Sequence, residues 1–240
     1  MKNYRYLLFD ADHTLLDYGA DEISALTLLH AEFGLPTTAE AVDFSHHASE
    51  RVWTKAGLYE VDNPKIQREY HTLYRWHVTG LFEEVFEKFG CKGDPKKAGE
   101  RFIKLLEKGG RLRENAEQVL QKLSQKSGGR YEVSILTNGL SKIQRARLRG
   151  LEKYVNEIFI SEELGVIKPM PAFFEKTLSA LGGSADECLM IGDSFTSDIL
   201  GAHAVGMDGC WLRSRTRVEE TPIQPTFTIR NLSELLQILQ

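Results

Sequence analysis

Two carboxylates stand two residues apart, directly after the first apolar run of the sequence. The run covers residues 6–9, and Asp10 and Asp12 follow it. In a continuing strand the two side chains would share a face and repel each other. In a loop they can diverge into separate tasks, such as nucleophile and proton donor. A capped turn is the alternative interpretation of this spacing.

A second acidic pair follows another apolar run. Residues 189–191 lead into Gly192 and Asp193, and Asp198 lies five positions after Asp193. Carboxylate oxygens are ligands that a hard cation such as Mg²⁺ prefers. The pair therefore indicates a metal site. A helix cap at Asp193 followed by a solvated Asp198 is the plainer alternative.

Two further segments carry groups that could bind an anion. Thr137, Asn138 and Gly139 follow the apolar run 133–136 and offer a hydroxyl, an amide and backbone N–H groups. Lys168 stands before a proline and offers a positive charge. Taken alone, Asn-Gly is also an ordinary turn, and a lysine is usually a solvated surface charge.

The apolar runs predict a fold that can bring these segments together. Short, near-continuous apolar runs are typical of strands covered on both faces, and apolar residues at helical spacing separate them. The chain is therefore predicted to be α/β, with a doubly wound, mostly parallel sheet. In such sheets ligands bind beyond the carboxyl ends of the strands, where the polar segments stand. The predicted strands are residues 6–9, 133–136, 158–160, 189–191 and 210–212.

The stretch from residue 18 to residue 105 interrupts this alternation. Its apolar residues recur at helical spacing throughout, and it contains no convincing strand. Turn signals at residues 34–36, 62–64 and 91–95 divide it. We therefore predict an all-helical domain at 18–105, inserted into an α/β core of residues 1–17 and 106–240.

Composition limits the possible partners. The 240 residues include 30 basic and 34 acidic ones, a net charge of −4, so no basic field points to a nucleic acid polymer. Three widely spaced cysteines suit neither a disulfide framework nor a zinc site. The first apolar run is too short for a signal peptide, and no stretch approaches the ~18 apolar residues of a membrane span. We expect a cytoplasmic protein with no membrane partner.

In this order, each at a predicted strand end, the four segments resemble the four motifs of the haloacid dehalogenase (HAD) superfamily. The resemblance is to the subclass with a helical cap inserted after the first motif, and it spans the whole core. Residues 9–12, 137–139 and 161–169 are further similar to a bacterial pyrimidine 5′-nucleotidase subgroup. The matching motifs are Asp10-x-Asp12-x-Thr14, Thr137-Asn138-Gly139, Lys168-Pro169 and Gly192-Asp193-x4-Asp198.

The resemblance implies a phosphatase that works through an aspartyl-phosphate. Asp10 would attack phosphorus, and Asp12 would act as acid and then as base. Mg²⁺ would bind the carboxylates of Asp10 and Asp193 and the backbone carbonyl of Asp12, with Asp198 orienting metal waters or Lys168 from behind. Lys168 would offset negative charge. Because like charges oppose further ionisation, we expect at least one raised pKa among Asp10, Asp12 and Asp193.

The remaining motif residues receive supporting roles from the same resemblance. Thr137, with backbone N–H groups around Asn138 and Gly139, would bind the transferring phosphoryl group. Thr14 and Asp17 are expected to organise the first loop rather than to meet the substrate.

Specificity is expected to come from other residues, because a phosphoryl site is generic. His13 departs from the glycine that many relatives carry there; its imidazole could contact the substrate or the cap, or fill space. In the insert, Trp53, Tyr59 and Arg68 could stack on or bind a nucleoside, although packing and surface roles are the plainer interpretation. The expected substrate is a small phosphorylated metabolite, foremost a pyrimidine nucleoside 5′-monophosphate.

Several alternatives stay open or are disfavoured. A sugar-phosphate phosphatase or a phosphomutase would use the same scaffold. A true dehalogenase has no use for Asp12 as an alcohol-directed acid. Phosphonate hydrolysis usually needs a Schiff-base lysine from the cap, and nothing marks Lys55 or Lys65 as buried. A non-catalytic phosphate-binding protein would be expected to lack one of the motif residues, yet Asp10, Asp12, Lys168 and Asp193 are all present.

Overall fold

The computed structural model describes residues 2–213 and 222–239. Within these residues, six strands form one sheet with the order β3-β2-β1-β4-β5-β6. Every neighbouring pair of strands is parallel. The strands are β1 (Tyr6–Phe9), β2 (Glu132–Thr137), β3 (Glu157–Ile160), β4 (Cys188–Gly192), β5 (Asp208–Leu212) and β6 (Phe227–Ile229). The predicted α/β class and all five predicted strands are confirmed.

The apolar pattern of the sequence does not predict β6. This edge strand has only three residues, and Thr228 in its middle is exposed. It pairs with β5 on one side, in register Trp211 with Thr228. An edge strand with one solvated position carries no continuous apolar run, which is why the pattern used for the other strands does not detect it.

Both faces of the sheet are covered, as the apolar runs predict. Successive side chains of a strand point to opposite faces. In β1, Leu7 and Phe9 belong to one apolar cluster, and Tyr6 and Leu8 belong to another. The helices that follow β1 outside the insert are α5 (Ala116–Leu123), α6 (Ser141–Leu148), α7 (Ser161–Leu164), α8 (Pro171–Leu181), α9 (Gly201–Ala204) and α10 (Leu235–Ile238).

The insert after β1 is helical, as predicted. Its helices are α1 (Tyr18–Phe33), α2 (Ala39–Lys55), α3 (Pro64–Phe89) and α4 (Pro95–Leu106). The side chains of Asn63 and Asp94 accept backbone N–H groups at the starts of α3 and α4, and a proline stands in the first turn of each. The turn signals at residues 62–64 and 91–95 therefore act as helix starts.

The chain divides into two compact units. As far as they are described, Met1–Asp17, Leu112–Asn138 and Leu148–Gln240 form the first, here the core unit. Tyr18–Arg111 and Gly139–Arg147 form the second, here the cap unit. This grouping differs from the predicted ranges, which placed residues 106–111 and 139–147 in the core. Leu140 and Ile143 belong to the same apolar cluster as the insert helices, which explains why residues 139–147 group with the cap unit.

A buried ion pair lies inside the cap unit. Arg147 donates to Asp21 over 3.1 Å, and both side chains are almost fully buried. Asp21 also accepts the backbone N–H groups of Gly110 and Arg111, at 2.8 and 3.2 Å. The pair therefore joins the start of α1, the segment after α4 and the end of α6. Among the described residues, no helix combines the length and the apolar composition needed to cross a membrane.

Candidate active site

Three neighbouring strands end in motif residues. Thr137 is the last residue of β2, Asp10 follows β1, and Asp193 follows β4. The order β2-β1-β4 places these ends side by side in the core unit. The backbone N–H of Asp10 donates to the carbonyl of Ile191 at 2.8 Å, which fixes Asp10 against the neighbouring strand. The polar cluster thus lies at the carboxyl edge of the sheet, where α/β proteins bind ligands.

Lys168 is the centre of this cluster. Its ammonium donates to Asp10 Oδ1 at 2.7 Å, to Asp198 Oδ1 at 2.6 Å and to the carbonyl of Leu136 at 2.7 Å. The side chain is only 2% exposed. The plainer interpretation of Lys168 as a solvated surface charge is therefore wrong. An ammonium has three N–H donors, and all three are used here.

The loop after Asp10 turns sharply. The N–H groups of Thr14, Leu15 and Leu16 all donate to the carbonyl of Ala11. The chain therefore leaves the strand before Asp12, and the two carboxylates are not fixed on one face of a continuing strand.

His13 adopts a backbone conformation that glycine takes up without strain. Its φ is 63°, in the left-handed region where a side chain is disfavoured by about 1–2 kcal/mol. The imidazole is exposed, so it fills no internal space. A contact of His13 with substrate stays a prediction.

Thr14 joins the first motif to the fourth. Its hydroxyl donates to Asp193 Oδ1 at 3.2 Å and accepts the backbone N–H of Asp193 at 3.1 Å. The side chain is fully buried. These contacts hold the Asp193 loop against the loop after β1, and they agree with an organising role for Thr14.

Asp198 lies fully buried behind the cluster. One carboxylate oxygen accepts from Lys168, and the other accepts the backbone N–H of Ser194 at 3.1 Å. A side chain on Gly192 would collide with this carboxylate, which explains the glycine before Asp193. A π-helical turn, Phe195–Leu200, presents Asp198, and such turns are frequent at functional sites.

Burial dominates the electrostatics of the cluster. Desolvation raises the pKa of Asp10 to about 7 and that of Asp193 to about 6, against the opposing attraction of Lys168. It also raises the pKa of Asp198. Burial alone would lower the pKa of Lys168, but Asp10 and Asp198 outweigh it and raise that pKa. The sequence predicted raised pKa values because of repulsion between the carboxylates. For Asp10 and Asp193 the larger cause is burial, and repulsion contributes less.

The carboxylates fit a hard cation. Asp10, Asp193 and Asp198 each offer an oxygen, and these oxygens lie within 4.8 Å of one another. Oxygen-only donors are the set that Mg²⁺ prefers. Both oxygens of Asp198 already accept hydrogen bonds, from Lys168 and Ser194. Asp10 and Asp193 are therefore the better ligand candidates, and Asp198 is better suited to holding Lys168.

The Thr137–Gly139 segment also binds the backbone of Lys168, a contact that the sequence did not predict. The Asn138 side chain donates to the carbonyl of Lys168 at 2.9 Å and accepts its N–H at 2.8 Å. Gly139 has a φ of 150°, and a side chain there would press on Gln144. Thr137 is buried at the end of β2. The sequence predicts the Asn138 amide as a donor to an anion, whereas in the structure this amide pairs with the backbone of Lys168.

Trp211 is a residue of the site that sequence reasoning missed. Its indole N–H donates to the carbonyl of Asp193 at 2.9 Å, and its ring packs edge-on against Phe195. Trp211 lies in β5, in register with Gly192 of β4. A tryptophan in a predicted strand was visible in the sequence. Its place beside Gly192 and Asp193, however, follows only once β4 and β5 are known to be neighbouring strands.

The three cap residues chosen for specificity differ in setting. Trp53 is half-buried and meets four other rings edge-on, with centroids 5.1 to 6.2 Å away. Tyr59 is one of those rings and is 62% exposed. Arg68 lies exposed on α3. Their contact with a substrate stays a prediction.

The sequence profile of the haloacid dehalogenase-like hydrolases matches residues 4–206. The chain therefore belongs to this family of hydrolases, as its motifs indicated. Together with the aspartate cluster and the relatives below, this makes it a phosphohydrolase of the HAD type.

Three relatives illustrate the similarity over the whole length. Pyrimidine 5′-nucleotidase PynA of Streptococcus pneumoniae is 33% identical, over 98% of this chain and 95% of its own. Pyrimidine 5′-nucleotidase YjjG of Escherichia coli is 30% identical, over 98% and 97%. The HAD-hydrolase YfnB of Bacillus subtilis is similar in structure. Its crystal structure, bound to magnesium, matches this chain with a TM-score of 0.84, at 31% sequence identity and over the full length of both chains.

Proposed function

We propose that the protein is a Mg²⁺-dependent phosphatase that hydrolyses pyrimidine nucleoside 5′-monophosphates through an aspartyl-phosphate on Asp10. One observation carries the chemistry: the buried Asp10 carboxylate lies 2.7 Å from the Lys168 ammonium, with Asp193 beside it. The substrate class is supported by the two nucleotidases, at 33% and 30% identity.

The proposed reaction has two steps. Asp10 attacks phosphorus, a carboxylate–phosphorus bond forms, and the ester P–O bond breaks. Asp12 gives its proton to the leaving alkoxide. In the second step Asp12 takes a proton from water, the resulting hydroxide attacks the acyl phosphate, and Asp10 and inorganic phosphate are released. The turn after Ala11 supports this division of labour because Asp12 lies in the turn, whereas Asp10 directly follows the end of β1.

The charges around the phosphoryl group are balanced by three kinds of group. Asp10, Asp193 and the backbone carbonyl of Asp12 would hold Mg²⁺, which would neutralise charge on the phosphoryl oxygens. Lys168 holds Asp10 in place and offsets its charge. Thr137 and the backbone N–H groups around Asn138 and Gly139 are proposed to bind the phosphoryl oxygens.

A panel of phosphate esters tests this function. Released phosphate would be measured for UMP, dUMP, dTMP, purine nucleotides and sugar phosphates, with Mg²⁺ and with EDTA. We expect the highest kcat/KM for a pyrimidine 5′-monophosphate and no activity in EDTA. A panel in which sugar phosphates exceed every nucleotide would overturn the substrate class and leave the phosphatase. Dependence on a sugar bisphosphate would instead indicate a mutase.

A further inference from the structure

We propose that Asn138 is a positioning residue whose side-chain amide binds both backbone groups of Lys168 and thereby sets the place of the Lys168 ammonium beside Asp10. The inference deepens the proposed function and rests on it. It assigns to the Asn138 side chain a task separate from any phosphate contact of the backbone around it.

Lys168 needs accurate placement. Its ammonium meets Asp10, Asp198 and Leu136 at distances of 2.6 to 2.7 Å. Hydrogen bonds weaken quickly with distance and angle, and an unpaired charge buried here would be costly. A shift of a few tenths of an ångström in the Lys168 backbone would therefore disturb all three contacts together.

Lys168 lies in a connecting segment rather than in a strand. It stands between α7 and α8, and the hydrogen bonds of its neighbours are local, as from Met170 to Ile167. The Asn138 amide adds two hydrogen bonds to the backbone of Lys168, which lies thirty residues later in the chain. The Lys168 N–H donates at 2.8 Å and its carbonyl accepts at 2.9 Å, so the segment is joined to the end of β2. Because β2 is paired on both sides, Asn138 ties the segment to the rigid part of the core unit.

The amide is suited to this task because it donates and accepts at once. One side-chain group meets the N–H and the carbonyl of the same residue, as a neighbouring strand would. Aspartate keeps the acceptor but loses the donor. Alanine loses both and keeps its own backbone N–H, so Asn138→Ala removes the clamp and leaves the backbone donors of the phosphate site.

Asn156 provides a matched control. Its side chain also accepts a backbone N–H, that of Val133 at 3.2 Å, at the opposite end of β2. Asn156→Ala therefore removes a comparable side-chain contact to the same strand, away from Lys168. It should lower the melting temperature without affecting turnover.

The experiment measures kcat and KM with a chromogenic phosphate ester for the wild type, Asn138→Ala, Asn138→Asp and Asn156→Ala. We expect both Asn138 variants to lose about tenfold or more in kcat, the equivalent of one good hydrogen bond, with KM changed less than about threefold. The Asn156 variant should retain wild-type kcat. A kcat within about twofold of wild type in Asn138→Ala would overturn the proposal, as would equal losses in both alanine variants.

A second readout does not depend on activity. A buried ammonium with three hydrogen bonds exchanges its protons slowly and should give a ¹⁵Nζ resonance. We expect Asn138→Ala to shift or broaden this resonance and Asn156→Ala to leave it unchanged. An unchanged resonance in Asn138→Ala contradicts the positioning role. If the wild type hydrolyses no phosphate ester, the proposed function fails, and the resonance alone still decides whether Asn138 places the ammonium.

Discussion

At the scale of single residues, the site combines three carboxylates with one ammonium; Asp10 and Asp198 are buried, and Asp193 is partly buried. Asp10 and Asp198 share the Lys168 ammonium, while Thr14 holds Asp193. Burial raises the pKa of each of the three carboxyls. Such a cluster attracts a cation because its negative charge is only partly compensated, which fits the proposed magnesium site.

Asp10→Asn should abolish turnover and leave the fold intact. The change is nearly isosteric, but it removes the nucleophile and one metal ligand, so we expect a loss of at least about a thousandfold in kcat. Asp43→Asn, at an exposed position of α2, is the control. Phosphate release and circular dichroism would be measured for both. Activity near wild type in Asp10→Asn would exclude the covalent mechanism.

Trp53→Ala tests the proposed contact with the base. Base–aromatic stacking contributes roughly 1–3 kcal/mol, so kcat/KM for dTMP should fall by up to about a hundredfold. Hydrolysis of acetyl phosphate, which has no base, should change far less. Trp76→Ala is the control, since Trp76 is an exposed tryptophan of the same unit. Equal losses on both substrates would assign Trp53 a structural role, which its four ring contacts would explain.

The sequence predicted the motif residues better than their contacts. Asp10 and Asp193 could be found because acidic residues after apolar runs stand out in one dimension, whereas Lys168 is recognised only through the resemblance of the four motifs in order. The clamp of Asn138 on Lys168 and the bond from Trp211 to Asp193 could not, because each joins segments whose neighbourhood depends on strand order. Motif spacing indicates which groups are present, and sheet topology decides which of them meet.

At the scale of elements, the segment 139–147 belongs to a different unit from the strand that precedes it. It directly follows Thr137 and Asn138 of the core unit, yet it packs with the insert helices in the cap unit. Inside that unit Arg147 joins it to Asp21 in the first turn of α1 and, through Asp21, to Gly110 and Arg111. No apolar pattern in α6 distinguishes one unit from the other, so only the fold reveals this grouping.

Arg147→Met should destabilise the protein by about 3 kcal/mol, because removing one partner of a buried ion pair leaves an uncompensated charge. Arg101→Met is the control. Arg101 forms an ion pair with Glu32 in the same unit, but the two side chains are 34% and 40% exposed. Little change in the free energy of unfolding is therefore expected. Urea unfolding would measure both. Equal stability of the two variants would contradict the structural weight given to the buried pair.

At the scale of the whole molecule, the carboxylate cluster links stability to pH and to metal. The pKa of Asp10 lies at about 7 and that of Asp193 at about 6 in the folded chain, against an ordinary value of about 4. Between about pH 4 and pH 7 the folded chain holds protons that the unfolded chain has released. Stability is therefore greatest on the acid side of this window and falls as the pH rises through it.

We accordingly expect the metal-free protein to lose stability between about pH 4 and pH 7 through this cluster, and Mg²⁺ to restore it at pH 7, because the ion binds only the folded, ionised site. Urea unfolding at several pH values, with EDTA or with Mg²⁺, would measure both effects. Asp10→Asn removes one titrating group and one metal ligand, so its profile should be flatter in EDTA and less responsive to Mg²⁺. Asp43→Asn should follow the wild type. A wild-type profile in Asp10→Asn would mean that the burial of Asp10 does not govern the pH dependence of folding.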